Sequence, residues 1–261
     1  MIPSSLIVPA GGTEIIYCSG RGEIIGGNAH ANFKITQTKG NEVFVLSDAG
    51  NIFQDSIRVL PNQNSHTRGR ETNGSAVWSV FTVGSPNANN IGAMQEYATT
   101  PIFSQSGGYN NSTFNLTLSS PDPSVTIYYT NNGDEPNNGS TPYSIPINIT
   151  STCVIKSIAY SSNGNIPPSF IDFHTFFIND THTIPILSIA GDQVDDLLNG
   201  NQIEPDGTLE WFDENGFLID KGTGEYNKHG NDSWAYDQRG FDYVMRDQFG
   251  YNYALQDKLF D

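Results

Sequence analysis

The stretch Thr126–Ser144 reads TIYYTNNGDEPNNGSTPYS. Its first five residues are β-branched or aromatic, which suits a strand. The next run is built of Asn, Gly, Asp and Pro, residues that make turns. Alternation puts Tyr128 and Tyr129 on opposite faces of the strand, so at least one of them belongs to a core. The same rhythm extends outward on both sides. Upstream, Phe114, Leu116 and Leu118 alternate with Asn115 and Thr117, the pattern of a half-buried strand. Downstream, INITSTCVIKSIAYSSNG and SFIDFHTFFI are further strand-and-turn segments. Residues 98–178 therefore read as a small β-sandwich.

The flanking regions extend the pattern. Residues 1–90 hold the short runs TEIIYCS, HANFKIT, NEVFVLSD, DSIRVL and SAVWSVF, separated by the turn signals AGGT, TKGN, DAGN and TNGS. Strands of this length and spacing predict a second antiparallel sandwich or barrel. In it Val43, Val45 and Leu46 are expected to face inward, with Asp48–Gly50 making the turn. Residues 181–261 differ. HTIPILSIAGDQVDDLLNG predicts a buried strand and then a short helix, with Asp192 at its N-cap, Val194, Leu197 and Leu198 on one face, and Gly200 as its stop. TLEWFDENGFLIDKG predicts a hairpin through the turn DENG, and RGFDYVMRDQFGYNYAL another strand with a turn at 247–250. The fold class expected is mainly β: two immunoglobulin-like sandwiches in tandem, then an incomplete α+β lobe.

Composition narrows the function. The net charge of −16 argues against nucleic acid and anionic membrane surfaces, both of which need clustered Lys and Arg. No segment is apolar enough to span a bilayer, so membrane insertion is not expected. The low charged fraction and abundant Asn, Gly, Ser and Thr fit strand-rich extracellular modules, which places the protein outside the cell, secreted or on the surface. Cys18 and Cys153 fall in separate strand-like regions and read as free thiols. The N-x-S/T triplets at Asn111, Asn115, Asn148 and Asn231 carry little weight in so Asn-rich a chain.

Two resemblances cover the first two regions. PAGGTEIIYCSG, NFKITQTKGNEVFVLSDAGNIFQDSI and HTRGRETNGSAVW…GSPNANN resemble the lamin tail domain, an immunoglobulin-like interaction module without catalytic residues. The family's first strand has no counterpart, so the native chain is expected to begin upstream of Met1. Arg68 and Arg70 are candidates either for a partner or for capping a sheet edge. Tyr128-Tyr129-Thr130, Gly133-Asp134-Glu135-Pro136 and Thr141-Pro142-Tyr143 resemble in order the chitobiase/β-hexosaminidase C-terminal-type module, a small β-sandwich. Tyr109, Tyr128, Tyr129, Tyr143 and Tyr160 offer stacking faces for a glycan. A structural spacer is the preferred reading of this module and carbohydrate binding the alternative. Asp134 and Glu135 alone are too few oxygens for Ca²⁺.

Asn227–Phe241, NKHGNDSWAYDQRGF, is the densest collection of reactive side chains in the chain. Alone it assembles no known chemistry. There is no G-x-S-x-G elbow for a Ser–His–Asp triad, and His30, His66, His174, His182 and His229 lack zinc spacing. With its surroundings it resembles the start of the CotH kinase family. The carrying residues are Ile184–Ile189, Trp211-Phe212-Asp213, His229-Gly230-Asn231-Asp232-Ser233, Gln238–Phe241 and Arg246–Gly250. The resemblance implies a nucleotide-covering lobe in which Gly230, Asn231 and Ser233 form a phosphate loop. Arg239, a bulkier cation, stands where the family often has Lys. His229 is an orienting partner. A hydrogen-bonded turn that orders the lobe is the alternative reading. The family's catalytic and metal-binding Asp lie downstream of Asp261, so no catalytic or metal residue is assigned and the chain alone is expected to be inactive. The expectation is an internal fragment of an exported bacterial multidomain kinase that uses ATP and Mg²⁺ in its full-length form, with extracellular or cell-surface proteins, and glycans, as partners. The alternative is an adhesion or carbohydrate-binding protein with a degenerate kinase-like scaffold.

Overall fold

A computed structural model of the chain describes residues 1–37, 42–48, 50–230, 232–235 and 239–245. Among these the protein is mainly β, and its α-helix is the single short turn Val194–Leu198. Contacts divide it into two compact units, Met1–Met94 and Gln95–Asp261.

The described residues of the first unit form three small sheets. β1 (Ile16–Tyr17), β2 (Ile24–Ile25) and β3 (Asn28–His30) form one, ordered β1-β3-β2. The β1–β3 pair is parallel, a departure from the antiparallel expectation. β4 (Val43–Ser47) pairs with β5 (Phe53–Arg58), and β6 (Thr67–Arg70) with β7 (Trp78–Phe81). The Asp48 carboxylate closes the β4–β5 turn by accepting the N–H groups of Gly50 and Ile52 at 2.9 and 3.0 Å. The expected facing of β4 is reversed: Val43, Val45 and Leu46 are all exposed, while Phe44 packs against Phe33 at 5.2 Å between ring centres. A phenyl ring removes more apolar area from water than a valine, and the ring sets the phase. Arg70 donates to both oxygens of Asp55 at 2.5 and 2.6 Å and lies 4.9 Å over Trp78, joining β5 to the β6–β7 hairpin. Arg68 donates to the Pro61 carbonyl at 3.1 Å. Both guanidiniums are thus engaged within the unit.

The second unit opens with a sandwich. One layer is the sheet β13-β12-β15-β16-β9, from β9 (Gly108–Asn110), β12 (Val125–Thr130), β13 (Thr141–Pro142), β15 (Cys153–Ser161) and β16 (Asp172–Ile178). Opposite lie two pairs: β10 (Phe114–Leu116) with β14 (Ile147–Ile149), and β8 (Ile102–Phe103) with β11 (Leu118–Ser119). Leu116, Leu118, Ile147 and Ile149 from one layer meet Ile127, Ile155, Phe176 and Ile178 from the other in one core. Tyr129 and Tyr143 pack against it, whereas Tyr128 turns to Tyr160 on the other face. Each such fully buried aliphatic or aromatic chain contributes roughly 1.5–3 kcal/mol.

β15 and β16 are buried on both faces, because a second sheet covers the first. This sheet is antiparallel throughout and ordered β17-β18-β19-β20: β17 (Ile186–Ala190), β18 (Asp206–Phe212), β19 (Leu218–Lys228) and β20 (Phe241–Met245). Helix α1 (Val194–Leu198) lies between β17 and β18 and buries Val194 and Leu197 against Tyr226. Gly200, at φ +110°, follows its C-cap. Asp192 does not cap it. The N-cap is Gln193, without a side-chain bond, and the Asp192 carboxylate instead accepts the Glu135 N–H at 2.5 Å. Cys18 and Cys153 are both free, and burial raises both thiols above their ordinary pKa. The expected turn at 247–250 lies outside the described residues.

Candidate functional site

The loop between β19 and β20 carries the residues singled out in the sequence. Gly230 adopts φ +67°, a conformation that L side chains rarely take, and the chain then enters a 3-10 turn over Asp232–Ala235. Asn231 and the side chain of Ser233 lie outside the described residues. The base of the loop is closed by the His229 N–H, which donates to the Gly240 carbonyl at 3.1 Å. His229 Nδ1 also lies 2.8 Å from the Asp242 carboxylate. Trp234 anchors the loop: its indole N–H donates to the Gly240 carbonyl at 3.0 Å. Two cations flank its ring, Lys228 Nζ at 5.2 Å and the Arg239 guanidinium at 5.7 Å.

Arg239 is the residue whose placement decides what this loop does. Its Nη1 donates to the Leu198 carbonyl, in the last turn of α1. A cation there satisfies an orphan carbonyl and complements the helix dipole. Its Nε is buried without a hydrogen-bond partner. Arg239 thereby ties the β19–β20 loop to the helix, leaving part of its fork of five donors uncommitted. Beneath the loop, Tyr226 donates to the Thr208 carbonyl at 2.7 Å and Tyr243 to the Gly222 carbonyl at 2.8 Å. Burial pushes both phenols well above their usual range.

A second polar group, which no motif in the sequence announces, lies between the sandwich and the β17–β20 sheet. The Thr175 hydroxyl donates to Glu210 Oε2 at 2.5 Å and lies 2.7 Å from the Ser188 hydroxyl. Glu210 Oε1 has no hydrogen-bond partner; its nearest basic group is His174 Nδ1 at 3.8 Å. Burial pushes the Glu210 carboxyl up to about 7, against the Thr175 bond and the Lys221 charge. Lys221 Nζ donates to Asp172 Oδ1 at 2.6 Å and to the Phe173 carbonyl at 2.8 Å. Burial would raise Asp172, but His174 and Lys221 beside it hold its carboxyl down at about 2. The Gly107 N–H donates to His174 Nδ1 at 3.1 Å, while Nε2 lies 3.7 Å from Asp172 Oδ2 and 3.5 Å from Lys221 Nζ. Burial and the Lys221 charge keep this imidazole below its ordinary pKa.

This cluster has the side chains of an acid–base centre without the access one needs. His174, Thr175 and Glu210 are buried, and their hydrogen bonds run from one sheet to the other. It is a polar seam that fixes two sheets in register. A parallel contact lies nearby. Lys156, fully buried, donates to Glu135 Oε1 at 2.6 Å, and Glu135 is therefore held in an ion pair within the unit. Asp134 accepts from the Asn132 amide. Among the described residues no three His, Cys, Asp or Glu group as metal ligands. Nor is any helix long and apolar enough to cross a membrane.

Neither a curated protein nor a solved structure matches the chain. Residues 105–169, which run from the loop before β9 into the β15–β16 connection, match the family model of the chitobiase/beta-hexosaminidase C-terminal domain.

Proposed function

We propose that the chain is part of an exported bacterial phosphotransferase of the CotH type. In this reading the β-modules hold extracellular or cell-surface partners, and the β17–β20 sheet is the first part of the nucleotide-covering lobe. One observation carries the reading. An antiparallel sheet ends in a loop that contains Gly230 at positive φ and returns through a strand preceded by Arg239. Phosphoryl transfer depends mainly on positioning and charge neutralisation, and a glycine-bearing loop between consecutive strands suits nucleotide phosphates. The lamin-tail-like reading of the first unit fits a protein-binding role for it.

Within this reading Gly230, Asn231 and Ser233 are the phosphate-binding residues and Arg239 supplies charge. The Leu198 contact occupies one nitrogen of Arg239 and orients the rest. ATP with Mg²⁺ is the cofactor pair that the reading requires. In this reading carboxylates hold the metal and receive the acceptor proton.

The test is calorimetric titration of ATP–Mg²⁺ into the parent protein and its Arg239→Ala variant. Loss of a charge-assisted hydrogen bond should weaken binding by roughly 1–3 kcal/mol. Equal affinity in the two proteins, together with a lower unfolding midpoint in the variant, would assign Arg239 to capping α1 alone and remove the phosphate role.

A further inference from the structure

At one end of the sandwich the loop before and through β9 meets the turn between β18 and β19 across a groove of about 390 Å³. That size is at the small end of the roughly 300–1,000 Å³ typical of small-ligand sites. The polar wall is Gln105, Ser106, Asn110, Asn111, Thr181 and Asn215. The aromatic wall is Tyr109 and Phe217, and Phe217 is 71 % exposed. Among the described residues no Asp, Glu, Lys, Arg or His lines the groove, although the chain carries 28 Asp and Glu. The absence of a counter-charge disfavours phosphates, carboxylates and metal ions, while the amide wall disfavours a purely apolar ligand.

Both walls are held rigidly. Gln105 Nε2 donates to Asn110 Oδ1 at 3.1 Å, and Asn110 Nδ2 donates to the Gly108 carbonyl at 3.0 Å. Gly216, at φ +78°, lies flat on Tyr109: a Cβ there would stand 2.3 Å from the ring. A Cβ on Gly108 would stand equally close, 2.3 Å, to the Gly216 carbonyl. The Tyr109 hydroxyl accepts the His182 N–H at 3.0 Å, and its ring packs edge-on against Phe177. The two loops thus touch backbone to ring, and little ordering is left for a ligand to impose. Tyr109 is a buttress here, and Phe217 is the ring left open to solvent.

We infer that this groove binds a neutral saccharide. Side-chain amides offer a donor pair and an acceptor in one plane, which matches the neighbouring hydroxyls of a sugar. The apolar C–H face of a sugar ring would cover Phe217. The site is independent of the phosphotransfer reading, because none of its walls belongs to the β19–β20 loop.

The test uses the full chain on an array of neutral and charged glycans, followed by calorimetry with chitotetraose and cellotetraose. Neutral glycans should be retained. Phe217→Ala and Asn111→Ala, both at exposed positions, should each weaken binding by about tenfold or more. Asp134→Asn, away from the groove, should leave it unchanged. The inference is overturned if no neutral glycan binds, if only charged glycans bind, or if both groove variants bind as the parent chain does.

Discussion

Glu210 shows how a single side chain responds to its surroundings. In an unfolded chain its carboxyl ionises near its ordinary value of 4.5, but in the seam only near 7. The folded state therefore holds the proton more tightly between those values. The stability contributed is complete below about pH 4.5 and is lost as pH rises through about 7, a swing of the order of 3 kcal/mol at about 1.4 kcal/mol per pKa unit. His174, lowered by burial, acts in the opposite sense, losing stability as pH falls below its ordinary 6.5. Asp172, held at about 2, does so only in strong acid. Glu210→Gln removes the titration of Glu210 and leaves the other two. Its stability relative to the parent should rise with pH and equal or exceed the parent's at pH 8. Urea unfolding midpoints at pH 5, 6, 7 and 8 measure this, and a constant difference across the series would place the cause elsewhere.

Side-chain bridges join the elements in addition to the ladder bonds. Lys156 on β15 is the clearest case. Its ammonium is fully buried and reaches Glu135 Oε1 at 2.6 Å and the Ala190 carbonyl at 3.4 Å. Removing the carboxylate leaves a buried charge with one neutral acceptor, whereas removing the lysine leaves a carboxylate that water reaches. Glu135→Ala should therefore cost roughly 2–4 kcal/mol, below the range for a fully enclosed pair, and Lys156→Met about 1 kcal/mol or less. Guanidinium unfolding of both variants would settle the order; a greater loss for Lys156→Met would contradict the account. β4 and α1 illustrate how neighbours override local signals. The period of two along Val43–Leu46 was legible, but Phe33 decided which face went inward. Asp192 is a good capping residue by type, yet the Glu135 N–H claims it.

Across the second unit, the sandwich and the β17–β20 sheet share one seam. Thr175 meets Glu210 and Lys221 meets Asp172, while Phe177 and Phe212 pack edge to face with ring centres 5.2 Å apart. A seam both apolar and ionic should make the two sheets unfold together. Phe212→Ala, which empties a fully buried position, should cost about 3–5 kcal/mol. It should lower amide-exchange protection in β15 and β19 alike. Loss confined to β19 would show that the sheets open separately.

Alternation along Phe114–Leu118 and the Tyr128–Tyr129 pair, with the Asn, Gly, Asp and Pro runs between strands, were enough to specify a β-sandwich from sequence. Those signals are local: side-chain period and turn chemistry act within a few residues. The free state of Cys18 and Cys153 was likewise readable, from their separate contexts. Only the tertiary structure brought His174 to Glu210, Arg239 to the end of α1, and Gln105–Asn111 to Asn215–Phe217. These partners are separated by 36, 41 and about 110 residues along the chain. No periodicity encodes such pairings. They arise because β15 and β16 are buried on both faces, and the second covering layer carries Glu210, Lys221 and the 213–217 turn to where they meet their partners.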